Sequence, residues 1–414
     1  MYDIDRLNDQ KGYLENKFWV SPYNYDRNIN AAPTSKRIAL HDVTLRDGEQ
    51  TFGVAYSIAD RVRIAEALSE LGVARIEAGM PIVSKENREG IKQVVDLDLD
   101  CEVTVLVRAN PLDIDLAVDC GIKTVVLEHC MNPYLNETGY HLEKSHVIER
   151  CVDSVSYAKE KGLNVVFMGW DTTRCDDLDY LKDTYVTLSQ ECKPDSIVLV
   201  DTFGVASPRT AGYLVKTVKQ WIPEIAVEYH NHNEFGLANA GVLEAISAGA
   251  DVVHTAINGL GERTGNAATE EVAAMLEILL GVETGIDLER LMDTSVLVEN
   301  ITNRSVPMNK PIVGRGLFDM ETGIGIDLIR KMGGKGFDMA TSSMLPSVVG
   351  QPPGRVVLGK NSGRASVEYF LDKHELAATP DQLDAIVEQV KFEGRLQRAL
   401  LSDVQFLSIC EKVL

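Results

Sequence analysis

Arg37-Ile38-Ala39-Leu40-His41-Asp42-Val43-Thr44-Leu45 runs directly into Arg46-Asp47-Gly48-Glu49-Gln50, so a short β-rich apolar run ends in a cluster of charged residues and glycine. The same arrangement recurs along the first two-thirds of the chain. Arg75–Pro81, Glu102–Asn110, Thr124–Met131, Leu163–Trp170, Ser196–Gly204, Ala226–Asn233 and Val252–Leu260 bring the number of such runs to eight. Between them lie segments with apolar residues at helical spacing, such as DRVRIAEALSELG and GVLEAISAGA. Eight alternations of strand and helix close a parallel barrel, whereas open doubly wound sheets stop at about five to seven strands. The spacing therefore predicts an α/β fold, a (β/α)₈ TIM barrel over residues 37–290. Most runs end in polar or glycine-rich residues, VRAN, DTFG, HNHNE and NGLGERTGN among them. A barrel of this kind assembles its active site at those C-terminal strand ends.

Residues 1–36 read as an N-terminal arm whose aromatic cluster KFWVSPYNYD packs on the barrel or on a partner subunit. Residues 291–414 carry the Gly/Pro-rich loops GRGLF, GGKGF and GQPPGR. They end in two amphipathic patterns, Pro380–Glu393 and Leu396–Leu414, and read as a mostly helical C-terminal subdomain.

The length of 414 residues accommodates a barrel of roughly 250 residues with appended segments. With 45% hydrophobic and 25% charged residues, the composition is that of a globular protein. A net charge of −21, from 62 acidic and 41 basic side chains, repels nucleic acid and anionic membranes, so neither is expected as a partner. An anionic substrate must be caught locally, by arginines or a metal. Seven cysteines lie scattered without paired spacing, which points to a reduced, cytoplasmic setting. The N-terminus lacks the apolar run of a signal peptide, and no window approaches about 18 uncharged apolar residues.

Chemistry-bearing residues gather at the predicted strand ends. Asp47 can ligate a metal, and the adjacent Arg46 can face developing negative charge. In His230-Asn231-His232 the two-residue period of a strand turns both imidazoles to one side. One carboxylate and two imidazoles with open positions form a common catalytic metal site, and mixed O/N ligation suits Zn²⁺, Mn²⁺ or Mg²⁺. The loop Gly259-Leu260-Gly261-Glu262-Arg263-Thr264-Gly265-Asn266 follows the last strand, whereas a dinucleotide fingerprint belongs in the first βα unit. It reads instead as a loop closing over the metal, with Asn266 as a further oxygen ligand. Gly359-Lys360-Asn361-Ser362 lacks P-loop spacing.

HDVTLRDGEQTFGVAYS, RIEAGMP, LVDTFGVASP, EYHNHNEFGLANA, NGLGERTGNAATEEV and VVLGKNSGR together resemble the signatures of the DRE-TIM metallolyases, in that family's order. The likeness is greatest to the Claisen-condensing branch of isopropylmalate, homocitrate and citramalate synthases. The resemblance implies metal ligation by Asp47, His230, His232 and Asn266, and enolate stabilisation by Arg46. It implies contact between Thr202 and a bound 2-oxo acid, with Glu77, Arg108 and His129 completing the acceptor pocket. It implies acetyl-CoA or another acyl-CoA as co-substrate, one divalent metal ion, a homodimer and a place in amino-acid biosynthesis. The chain stops near Leu414, before the leucine-sensing domain of many isopropylmalate synthases, so control through that domain is not expected.

The implied reaction joins the enolate of the acyl-CoA to the 2-oxo acid, and water then hydrolyses the thioester. The sequence departs from the family where protons are moved. Trp170 stands where the synthases carry a glutamate after the fifth strand, Gly325 where they carry a catalytic histidine, and Asn361 where KHSGR has histidine. Three explanations follow: another group such as Asp171, Glu321 or His129 serves as base; the enzyme is a carbon–carbon lyase or aldolase; or the acyl donor differs. A non-catalytic 2-oxo acid binding homologue is the remaining alternative. The Glu262-Arg263 pair fits a synthase loop better than that of hydroxymethylglutaryl-CoA lyase, which has a cysteine there.

Overall fold

The computed structural model describes residues 12–14, 17–26, 28–29, 37–332 and 339–414. Two compact units divide the chain, Tyr23–Val306 and a second made of Met1–Pro22 with Pro307–Leu414. In the first, eight strands form a closed, all-parallel barrel. They are β1 (Ala39–Asp42), β2 (Arg75–Glu77), β3 (Glu102–Arg108), β4 (Thr124–Cys130), β5 (Asn164–Trp170), β6 (Ser196–Asp201), β7 (Ala226–Asn231) and β8 (Val252–Thr255). Each pairs with its sequence neighbours, and β8 closes on β1 from Val252 opposite Ala39 to Thr255 opposite Asp42. All eight apolar runs thus become strands. Several are shorter than the runs because the polar residues at their ends turn out of the sheet: Gly48–Gln50 after β1 and Ile257–Gly259 after β8 are single 3₁₀ turns.

The connecting helices start on capping residues that the sequence supplies. Helix α1 (Ile58–Leu71) opens on a Ser57/Asp60 capping box. Asn110 caps α3 (Pro111–Asp119) and Ser207 caps α6 (Pro208–Trp221), each with proline in the first turn, where its missing N–H costs nothing. Between them run α2 (Lys85–Val95), α4 (Lys144–Glu160) and α5 (Leu178–Glu191), followed by α7 (Ala238–Ser247) and α8 (Thr269–Ala274). Helix α9 (Leu291–Thr302) packs on α1 and carries the barrel unit past residue 290 to Val306.

Inward-facing side chains divide the barrel interior into two halves. On β3 to β6, Leu106, Val126, Val166, Met168, Val198 and Val200 form an apolar cluster. On β7, β8, β1 and β2 the same depth is charged. Arg75 grips Glu228 through three contacts of 3.1 to 3.2 Å, His254 Nε2 lies 2.9 Å from Glu228, and His41 Nε2 lies 3.3 Å from Glu77.

Most of the expected N-terminal arm lies outside the described residues, and the described part is shared between the units. Phe18 bridges to Met344 in the second unit, whereas the Tyr25 hydroxyl donates to the Ile278 carbonyl in the first. The second unit also holds α10 (Gly323–Met332), and α11 (Arg364–Lys373), α12 (Pro380–Gln397) and α13 (Asp403–Val413) packed around Leu358, Phe370, Ile386, Val390 and Phe406. The GGKGF loop falls outside the described residues. Among the described residues no helix is long and apolar enough to cross a membrane. All seven cysteines are free.

Candidate metal centre and active site

At the C-terminal rim of the charged half, three of the expected residues converge. His230 Nε2 and His232 Nε2 lie 3.4 Å apart, and each is 3.6 Å from Asp47 Oδ2. The convergence follows from strand geometry: Glu228 and His230 alternate inward along β7 and His232 continues the alternation just past its end, while the turn after β1 carries Asp47 across the barrel mouth to meet them. All three are buried, and one ligand atom from each lies within 4.8 Å of the others, an arrangement that suits a cation. Burial, then the neighbouring His232, hold His230 well below the usual imidazole range, so it presents a neutral nitrogen. Burial works to raise Asp47, but Arg46 and His232 outweigh it and keep the carboxylate ionised.

Asn266 joins them. It bridges to His232 across two strands' ends, its Nδ2 donates to the Leu260 carbonyl at 2.8 Å, and its buried Oδ1 has no partner. The glycine loop is fastened rather than loose. Gly261 N donates to Thr51 Oγ1 at 2.9 Å, and Glu262 N donates to Asp47 Oδ1 at 3.1 Å. Only glycine fits at 261, where φ is +148° and a Cβ would lie 2.2 Å from Asn266 Nδ2.

Arg46 is fixed on three sides and open on the fourth. Its Nε donates to Glu77, and its Nη1 donates to Asp47 at 2.9 Å and to Gln50 at 3.1 Å. Its Nη2 is buried with no partner. An unused donor beside three converging ligands suits an oxyanion. Glu77, expected in the acceptor pocket, is fully buried beneath this arginine; burial works to raise it, but Arg46 and His41 hold its carboxyl at about 2. It holds Arg46 in place through their ion pair.

The remaining expected residues lie on the opposite half. Arg108 and His129 line a cavity of about 720 Å³ over the ends of β3 to β5, together with Glu128, Tyr140, Arg150 and Trp170. Arg108 is half exposed and holds Asp113 at 2.8 and 2.9 Å. His129, lowered by burial, places Nδ1 3.1 Å from the Cys130 carbonyl. Thr202 Oγ1 accepts from Asp171 N at 2.7 Å, which leaves the hydroxyl hydrogen free. Asp171 is unsuited to the base role expected of it. Its carboxylate is fully buried and held by Arg174 at 2.7 and 2.8 Å and by Asn132 at 2.8 Å, so both oxygens are occupied. In the second unit, Glu321 accepts from Asn361 N at 2.8 Å. Gly325 sits where a Cβ would lie 2.7 Å from Met320 Sδ, so an imidazole there requires Met320 to move.

Sequence reading missed His41, Arg75, Glu128, Glu228 and His254. The signal was available for Glu228 and Glu128, since the two-residue period that turns His230 inward also turns Glu228, and the one that turns Val126 inward also turns Glu128.

A closed parallel barrel with a cluster of candidate metal ligands at its C-terminal rim is the class that fold and site define. The HMGL-like family model matches residues 37–298, and the chain belongs to that family. The chain is 34% identical to homocitrate synthase AksA of Methanothermobacter thermautotrophicus, over 96% of this chain and 98% of that protein. It is 38% identical to the probable 2-isopropylmalate synthase of Ignicoccus hospitalis (92% and 93% covered) and 38% to (R)-citramalate synthase CimA of Methanocaldococcus jannaschii (91% and 74%). Hydroxymethylglutaryl-CoA lyase from Pseudomonas aeruginosa shares the fold, with a TM-score of 0.58 at 22% identity over 66% of this chain and 96% of that one.

Proposed function

We propose that this enzyme condenses an acyl-CoA, acetyl-CoA in the first instance, with a 2-oxo acid, as the names of its synthase relatives suggest. The observation that carries the reading is the convergence of Asp47, His230 and His232 beside an arginine with one unused N–H. These three residues with Asn266 would hold one divalent cation, which when bound supplies a Lewis acid for the 2-oxo acid's carbonyl. Arg46 Nη2 faces the charge that develops on the thioester oxygen, and the free Thr202 hydroxyl hydrogen serves the acid's carboxylate. Arg108 and His129 line the side of the cavity that takes the rest of the acceptor. Glu321→Gln tests the base role proposed for Glu321. A homodimer belongs to the same reading. It is supported by Ile324, Leu328 and Ile329, apolar side chains that α10 leaves exposed, and sedimentation checks it.

The deciding experiment measures thiol release from acetyl-CoA by metal-replete protein across a panel of 2-oxo acids. Release that depends on both the acid and Zn²⁺, Mn²⁺ or Mg²⁺ is expected. Silence across the panel sinks the reading. Trp170 at the position of the family's glutamate favours a second reading, a pocket that binds 2-oxo acids without turnover. Multiple-turnover product by mass spectrometry excludes it.

A further inference from the structure

The proposed condensation needs a base for the acyl α-carbon, and the structure offers one that stands outside the family's pattern. Glu128 lies on β4, directly paired with Arg108 on β3 and Met168 on β5. It follows Val126 on the inward face and lines the cavity, partly open to it. Among the described residues its carboxylate makes no hydrogen bond or ion pair, unlike Asp171, Glu77 and Glu228. The charged and titratable groups around it are Arg46 beyond β1, Glu77 on β2, Arg108 on β3, Asp113 on α3 and Tyr140 after β4, and His129 with Arg150, Asp153 and Tyr157 of α4 line the same cavity. Met168 and Trp170 on β5 face the same cavity or cluster without charge. Arg46, which acts on it more strongly than its cross-strand neighbour Arg108, is the residue with the unpaired Nη2. A carboxylate open to the cavity thus lies within electrostatic reach of a guanidinium that has an unused N–H.

We propose that Glu128 is the general base that removes the α-proton of the acyl-CoA, in place of the glutamate that Trp170 displaces on the adjacent strand. The inference rests on the condensation reading. The thioester's α C–H bond breaks, its proton passes to a Glu128 oxygen, and its electron pair becomes the enolate, whose oxygen meets Arg46 Nη2. The enolate carbon forms the new bond to the 2-oxo carbon, whose C=O π pair moves onto oxygen. That alkoxide takes one proton, and release of the proton from Glu128 restores the carboxylate. Water then cleaves the C–S bond to give a carboxylic acid and the free thiol. Burial, opposed by Arg46, raises Glu128 to about 7, a value suited to a base working near neutral pH.

The test compares wild type with Glu128→Gln, Glu128→Asp and Glu128→Gln/Trp170→Glu, using acetyl-CoA and the best 2-oxo acid from the panel. Metal content and thermal unfolding verify that each variant is folded. Glu128→Gln is expected to lower kcat by about 100-fold or more with the 2-oxo acid KM little changed. The rise of kcat/KM through about pH 7 should vanish, and Glu128→Asp or the restored glutamate at 170 should recover part of the rate. A folded Glu128→Gln enzyme with kcat within about threefold of wild type, or with that pH limb intact, overturns the proposal while leaving the condensation standing. A wild type silent on every 2-oxo acid overturns both.

Discussion

The two halves of the barrel interior do opposite things with burial. On β7, β8, β1 and β2, the buried carboxylates Glu77 and Glu228 are each matched by an arginine and a histidine, and both are held below the usual carboxylate range. On β3 to β6 the interior is aliphatic, and the carboxylate at its rim, Glu128, is raised. Burial pushes all three the same way, so their partners decide the sign. The charged half fixes Arg46 and the ligand cluster in one geometry, and the apolar half leaves space and an unpaired group.

The largest effect expected is on the ligand cluster. Asp47→Ala or His232→Ala should abolish retention of the divalent ion while far-UV circular dichroism still reports a folded barrel; full metal stoichiometry by elemental analysis in either variant breaks the assignment. Next, Glu228→Leu removes the partner that Arg75 grips and should cost about 3–5 kcal/mol in urea unfolding. Glu228→Leu combined with Arg75→Met should restore part of that loss, because the double change removes a largely buried cation whose remaining partner, Glu102, is half exposed. Leu106→Ala, on the apolar half, should cost about 2–4 kcal/mol by the same measurement, as a cavity without a stranded charge.

The smallest effects are pH slopes, and they have opposite signs in the two halves. Glu77 sits at about 2 when folded, below its value of about 4.3 when unfolded. The stability it contributes is present above about pH 4.3 and lost as pH falls toward 2. Glu128 sits at about 7 when folded, so the folded state holds the extra proton and stability falls as pH rises from about 4.3 to 7. Glu128→Gln should therefore raise the midpoint of thermal unfolding at pH 8 and leave it unchanged near pH 4. A midpoint that stays fixed at both values shows that Glu128 titrates as it does unfolded.

The barrel was legible because each strand run ends in its own polar punctuation, and eight of them leave one closed parallel solution. Asp47, His230 and His232 were legible for a similar local reason: HxH on a strand can face only one way. Asp171 misled because a carboxylate beside the missing glutamate looks available in sequence, and only the fold brings Arg174 and Asn132 onto both its oxygens. Glu128 was passed over because one acidic residue in TVVLEHCM carries no motif.

The sequence by itself determined the strand count, the family and which side chains reach the rim, since these depend on two-residue alternation and short motifs. Tertiary structure alone decided which buried charges are paired and which are free. Pairing depends on residues far apart in the chain, as Arg46 with Glu77 and Arg75 with Glu228, and burial turns such a partner, or its absence, into a large shift. For that reason the sequence could supply the candidate ligands, and only the closed barrel could bring out Glu128 as the proposed base.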